Sequence, residues 1–178
     1  MNQCSFIHVT ICVEDKKVMT HPAPLSNAGV RFPPPLIFVF GLFTGWMLDR
    51  YRHALPLSRF GGSALEPIGW ILLALGVILA GWGMVTFGRA RTAINPHRSA
   101  SQLVTHGPYR FTRNPMYTGL TLQYLGGAVL LDSAWPIIVL PIVLVVLVRR
   151  VISREEAYLN QAFSADYAAY TARVRRWL

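Results

Sequence analysis

Two stretches of this chain carry side chains beyond what an apolar fold needs. Residues 95–119, NPHRSASQLVTHGPYRFTRNPMYTG, hold Arg98, Arg110 and Arg113, His97 and His106, and Tyr109, Phe111 and Tyr117, with no acidic residue. Gly107-Pro108 and Asn114-Pro115 are expected to bend the backbone twice in quick succession. Such bends present backbone N–H groups and arginine forks to an anion, with aromatic faces alongside. The alternative is a solvated basic loop that only sets membrane orientation.

The second stretch is residues 149–178, RRVISREEAYLNQAFSADYAAYTARVRRWL. Val151, Ile152, Tyr158, Leu159, Ala162, Phe163, Tyr167, Tyr170, Val174 and Trp177 recur at three- and four-residue spacing, which predicts an amphipathic helical stripe. Ser164-Ala165-Asp166 is a candidate break, with Asp166 near a new helix start. Glu155 and Glu156 border the apolar face instead of the opposite one. Each either pairs along the helix with Arg149, Arg150 or Arg154, worth a few tenths of a kcal/mol, or points into a site that holds a cation.

The elements that must position these groups are apolar. Of 178 residues, 53% are hydrophobic and only 14% charged, against about 25% charged in soluble domains. That excludes disorder, and two cysteines (Cys4 and Cys12) exclude a disulfide scaffold. The length suits one domain. Residues 67–87 form an uncharged run long enough to cross a bilayer as a helix. Residues 34–48 form another, and residues 116–148 read as a hairpin, 116–131 and 134–148, broken at Asp132-Ser133 and Pro136. The expected fold is therefore an all-α integral membrane bundle of about four transmembrane helices, residues 31–178, closed by the helical tail 149–178. Residues 1–30 read as a poorly ordered extension, with Met19 an alternative start.

Net charge is +9, and fifteen of the seventeen basic residues are arginine. With four spans, fourteen of the seventeen fall on the side that carries both termini and the loop before residue 116; only Arg50, Arg52 and Arg59 lie opposite. The termini are thus expected in the cytoplasm, as for a protein of the inner or cytoplasmic membrane. The apolar runs argue against a nucleic-acid partner for this charge. Gly41-x-x-x-Gly45 and Gly76-x-x-x-Ala80 allow close helix approach, chiefly for packing. His53, His97 and His106 lack metal-ligand spacing, and no nucleotide-binding glycine loop or hydrolase motif is present.

At the two chemistry-bearing stretches the chain resembles the isoprenylcysteine carboxyl methyltransferase family and its relatives among phospholipid N-methyltransferases. The matching pieces are LVTHGPYRFTRNPMYTG (103–119) and REEAYL…F…DYAAY…R (154–173). The resemblance implies an all-helical membrane enzyme using S-adenosylmethionine without a nucleotide-binding sheet domain. It places cofactor contacts on Ser101, Gln102, Leu103 and Val104, on Tyr109, on the turn Arg113, Asn114, Pro115, Met116 and Tyr117, and on Glu155 or Glu156. It gives Arg150, with Glu155 and Glu156, a part in the reaction. Many members have His where this chain has Asn114, and an amide is neither acid nor base near neutral pH.

The donor's chemistry agrees with these residue types: an acid for the cationic end, Arg110 or Arg113 for the carboxylate, and Tyr109 or Tyr117 for adenine or the sulfonium. The expected partners are a membrane and a lipophilic or lipid-like acceptor bearing a carboxylate, thiol or amine. Two other readings stand beside this one. A sterol-type membrane reductase would bind NADPH instead, and a non-enzymatic assembly subunit would tolerate alanine at Tyr109, Tyr117 and both acids.

Overall fold

A computed structural model describes residues 33–90 and 103–177. The extension 1–30, Met19, and the site candidates Ser101 and Gln102 lie outside the described residues, as do His97 and Arg98. Among the described residues the fold is all-helical, with no strand. Four long helices alternate in direction: α1 (Pro34–Tyr51), α3 (Leu65–Arg89), α4 (Pro115–Leu130) and α5 (Trp135–Leu147). A short α2 (Ser58–Gly61) precedes α3. Proline stands in the first turn of α1, α4 and α5, where its missing N–H costs no hydrogen bond.

The burial pattern is inverted relative to a protein in water. On α3 the buried residues are Gly69, Gly76, Gly83 and Thr86, whereas Ile68, Trp70, Ile71, Ile78 and Trp82 are exposed. Bulky apolar side chains facing outward around glycines facing inward are what a hydrocarbon solvent allows. Two helical runs are long and apolar enough to cross a membrane, Ser58–Arg89 and Trp135–Thr171. α4, with 16 residues, is about 24 Å long at 1.5 Å per residue.

Glycines set how the helices meet. The buried glycines of α3 recur every seven residues and face Gly119 and Gly126 of α4. A Cβ on Gly76 would lie 2.5 Å from the Gly119 carbonyl oxygen, and one on Gly126 would lie 2.7 Å from that of Gly69. The seam is backbone on backbone. On the other side of the bundle, Gly41 and Gly45 of α1 rest on Val143 and Pro136 of α5. Both small-residue spacings therefore serve packing within the chain. The hairpin expected of 116–148 forms, but its arms barely touch each other: α4 packs chiefly on α3, and α5 on α1.

The end of the bundle where α4 turns into α5 is held by polar contacts. Ser58 donates from its N–H (2.6 Å) and hydroxyl (2.7 Å) to Asp132, and Ser133 Oγ donates to Asp49 at 2.8 Å. The Trp135 indole N–H reaches the His53 carbonyl at 2.9 Å. At the opposite end the structure departs from the expected separate tail. α5 does not stop; it runs through a π-helical turn (Val148–Ile152) into α6 (Ser153–Thr171). No proline or glycine lies between Pro141 and Ser164 to end the helix. The expected break does occur at Ser164, whose φ of 29° and ψ of −98° kink α6.

The seam yields a direct test. Gly76→Ala should lower stability by about 1–3 kcal/mol through overpacking, while Gly81→Ala, which meets nothing within 4 Å, should stay within about 0.5 kcal/mol of the parent. Thermal unfolding in detergent reads both, and equal melting points would refute the seam.

Candidate functional site

The site lies where α3 ends, α4 begins and the α5–α6 run leaves its apolar part. Gly107 opens a 3-10 turn (Gly107–Arg110) at φ +63°, a left-handed conformation that favours glycine; a Cβ there would also sit 2.9 Å from Thr86 Oγ1. The turn drives Pro108 and Tyr109 inward and leaves Arg110 and Phe111 outside. Tyr109 packs edge-on against Phe87 with centroids 5.1 Å apart, and its carbonyl accepts the Tyr170 hydroxyl at 2.8 Å. Leu103 is half-buried and Val104 buried. The second bend caps α4: Asn114 O accepts the Thr118 N–H (2.9 Å) and hydroxyl (3.0 Å). Pro115 and Tyr117 are buried, and Met116 is half-buried against Gly83.

From the other side comes the π turn, which buries Val151 and Ile152 completely as neighbours and leaves Arg149 and Arg150 exposed. A π turn is wider than an α turn and shifts the register of everything after it. One turn later both acids face the loop. Tyr117 donates its hydroxyl to Glu155 Oε1 at 2.7 Å. Glu156 takes a two-point fork from Arg176, Nε at 3.0 Å and Nη2 at 2.5 Å, and a third contact from Arg113 Nη1 at 3.2 Å. These contacts join the acids to residues 20 or more positions away in the chain, so both reach beyond their own helix.

A third element completes the enclosure. Residues 173–177 fold back over the loop: Arg113 N–H donates to the Arg175 carbonyl (2.9 Å), and Thr112 Oγ1 (3.0 Å) and Asn114 Nδ2 (3.1 Å) donate to that of Arg176. Trp177 packs on the apolar core beneath. Asn114 thus spends its amide on this strap, a donor role for which no titration is needed. Sequence reasoning missed Thr112, which is 1% exposed, and Arg176. Thr112 gave no signal. Arg176 was visible only as one of several tail arginines counted for orientation.

The electrostatics are uneven. Burial pushes the Glu155 carboxyl above its ordinary range; the Tyr117 hydroxyl opposes this, and the Glu156 charge adds to it. Glu155 lies beyond the apolar part of its helix, and no cation pairs with it among the described residues. Tyr170 is pushed up to about 12 and Tyr109 further, both chiefly by burial, so both stay neutral phenols. Among the described residues two buried donors, Tyr109 Oη and Arg113 Nε, have no hydrogen-bond partner. Buried polar groups are nearly always satisfied, which sets these two apart from the rest of the cluster. Of the two arginines expected near an anion, Arg113 is turned in and Arg110 out. Arg150 stays on the exposed face of the π turn, away from the hydrogen-bonded cluster.

Comparison with known proteins bears on this cluster directly. Residues 65–166, from α3 through the kink of α6, match the family model described as phospholipid methyltransferase. A probable protein-S-isoprenylcysteine O-methyltransferase of Oryza sativa is 30% identical over 113 residues, covering 62% of this chain and 59% of that protein. Protein-S-isoprenylcysteine O-methyltransferase B of Arabidopsis thaliana is 32% identical over 112 residues, covering 62% and 57%. The chain thus spans less than two thirds of the length of these plant relatives. A cobalt-zinc-cadmium resistance protein, CzcN, of Cupriavidus metallidurans is 32% identical over 159 residues, covering 87% of this chain and 69% of its own. With its family match covering more than half its length and including both acids, the chain belongs to the phospholipid methyltransferase family, alongside the protein-S-isoprenylcysteine O-methyltransferases.

Proposed function

We propose that this protein transfers a methyl group from S-adenosylmethionine to a lipophilic, membrane-associated acceptor bearing a carboxylate, thiol or amine. In this reading α1, α3, α4 and α5 all cross the membrane, and the site and both termini face the cytoplasm, where most of the arginines fall. The observation that carries the reading is a cluster of groups unmatched among the described residues: the Glu155 carboxylate without a cation, and the Tyr109 and Arg113 donors without acceptors. The donor carries the complementary set, a sulfonium and ammonium on one side and a carboxylate on the other, and its electrophilic methyl is what it supplies when bound. Glu155 holds the cationic end, positioned by Tyr117. Arg113 Nε binds the carboxylate and Tyr109 Oη a polar edge. Leu103, Val104, Asn114, Pro115 and Met116 line the rest of the site, and the family resemblance adds Ser101 and Gln102, which lie outside the described residues. Arg150 handles the acceptor from the lipid side. Glu156, already matched by two arginines, orders the site without taking part in the reaction.

Methyl transfer is an in-line displacement that neutralises the positive sulfur. It needs alignment and exclusion of water more than a strong base. A site at the end of a lipid-embedded bundle suits both needs in this reading, with a water-soluble donor arriving from one side and an apolar acceptor from the other. The Asn114 amide, engaged with the strap, fits a reaction that moves no proton there.

The two acids should separate by experiment. Glu155→Gln should weaken binding of labelled S-adenosylmethionine about tenfold or more, the loss of a charge-assisted contact, with the melting point nearly unchanged. Glu156→Gln should instead lower stability by about 1–2 kcal/mol by stripping two arginines of their partner. Full donor affinity in Glu155→Gln would refute the assignment.

The raised Glu155 carboxyl also fixes a sign. In the free protein the folded-state pKa lies above the unfolded value, so this residue favours the fold at low pH, and that contribution is lost as pH rises through the folded pKa. A cationic donor binds the ionised form. The rise in melting temperature caused by S-adenosylmethionine should therefore grow as pH rises above the ordinary carboxylate range, and Glu155→Gln should flatten it. A donor-induced shift independent of pH in the parent protein would count against Glu155 as the cation's partner.

A further inference from the structure

Arg176 holds Glu156 by two points, and Glu156 in turn holds Arg113 Nη1 at 3.2 Å, so one carboxylate fixes two guanidiniums. Arg113 then has Nε buried and unpaired. The backbone repeats this linkage, because Arg113 N–H donates to the Arg175 carbonyl while Thr112 and Asn114 donate to that of Arg176. A guanidinium is a planar fork, and fixing one nitrogen fixes the direction of the others. Left on a lone salt bridge, Arg113 would sample several rotamers at an entropic cost to any ligand it meets.

We infer that Arg176 is a positioning residue of the donor site: acting through Glu156, it aims Arg113 Nε at the carboxylate of the bound donor. The inference rests on the methyl-donor reading above and adds a specificity that neither acid supplies. Without Arg176, Glu156 keeps one cation, and Arg113, still beside Tyr167, loses the carboxylate's fixed position as its guide. The cost then falls on recognition of the ligand carboxylate, not on binding of adenine or of the cationic end.

The test is isothermal titration of the purified full-length protein in detergent with S-adenosylmethionine and with its decarboxylated analogue, which lacks only the carboxylate. The parent protein should prefer the carboxylate-bearing donor. Arg176→Gln should lower affinity for S-adenosylmethionine about tenfold, the scale of one charge-assisted hydrogen bond, and leave affinity for the analogue within about twofold, erasing the preference. Arg176→Lys, which keeps the charge and loses the fork, should retain part of it and guards against a glutamine variant that folds poorly. Equal weakening toward both ligands, or an intact preference in Arg176→Gln, would overturn the inference, as would a parent protein that binds both ligands equally well. A parent protein that binds neither would overturn the donor reading itself.

Discussion

A helix surrounded by hydrocarbon gains little by burying leucine against another helix, since lipid is as good a solvent for leucine as protein is. What remains to hold helices together is close contact of backbones and hydrogen bonds at the ends. The α3–α4 seam follows this constraint closely. Glycines of α3 and α4 meet backbone to backbone and bulky side chains of α3 point outward, while α1 lies on α5 through two more glycines beside a core of Phe38, Tyr124, Leu140, Val143 and Leu147. The seam resists sliding, because Gly76, Gly119 and Gly126 each lie against a facing carbonyl with no room for a side chain. The ends of the helices are therefore fixed relative to one another, which is what a site assembled from helix ends requires.

The two ends of the bundle use that fixity differently. At one end, Ser58, Asp132, Ser133 and Asp49 satisfy one another, and the residues compose a closed clasp. At the other, hydrogen bonding is incomplete. Among the described residues Glu156 is matched twice over, whereas Glu155 has a phenol and no cation, and two buried donors have no partner. This contrast between the two ends is what supports placing the proposed ligand at the second. The π turn belongs to the same economy of construction. Its extra width costs some helical regularity and turns both acids from the lipid-facing register toward the loop.

Much of this was legible from the residues. Tyr109, Arg113, Tyr117, Glu155 and Glu156 stood out because aromatic, cationic and acidic side chains are out of place beside apolar spans, and the structure brings all five together. The break at Ser164 was legible too, because Ser-Ala-Asp offers the backbone alternatives to a helical hydrogen bond. Other features left no local trace. Thr112 is a lone threonine whose partner lies sixty-four residues away, and no periodicity reports a contact of that range. The continuity of α5 into α6 was hidden because a change from apolar to charged residues marks a change of solvent as readily as a change of structure. The seven-residue recurrence of Gly69, Gly76 and Gly83 was present in the sequence, but small residues are common in membrane helices, and only its match to Gly119 and Gly126 gives it meaning.

In the proposed methyl-transfer reading, one small chain keeps two solvents apart during the reaction. A sulfonium donor is stable in water and must react out of it; an acceptor with a lipid tail does not leave the membrane. The 103–114 loop and the 173–177 strap meet the ends of α3 and α4 and the π turn in one polar cluster, which in that reading is the donor's side. Arg150 is exposed where the apolar part of its helix ends, the place from which it meets the acceptor in the same reading. Because charge on sulfur disappears as the methyl leaves, a fixed carboxylate favours the bound donor over the transition state, and an acid held too tightly against the sulfur would slow transfer. Glu155 in this reading is tempered by its hydrogen bond from Tyr117, which spreads the carboxylate charge before the donor meets it. The phenol therefore sets a balance between holding the donor and letting its methyl go.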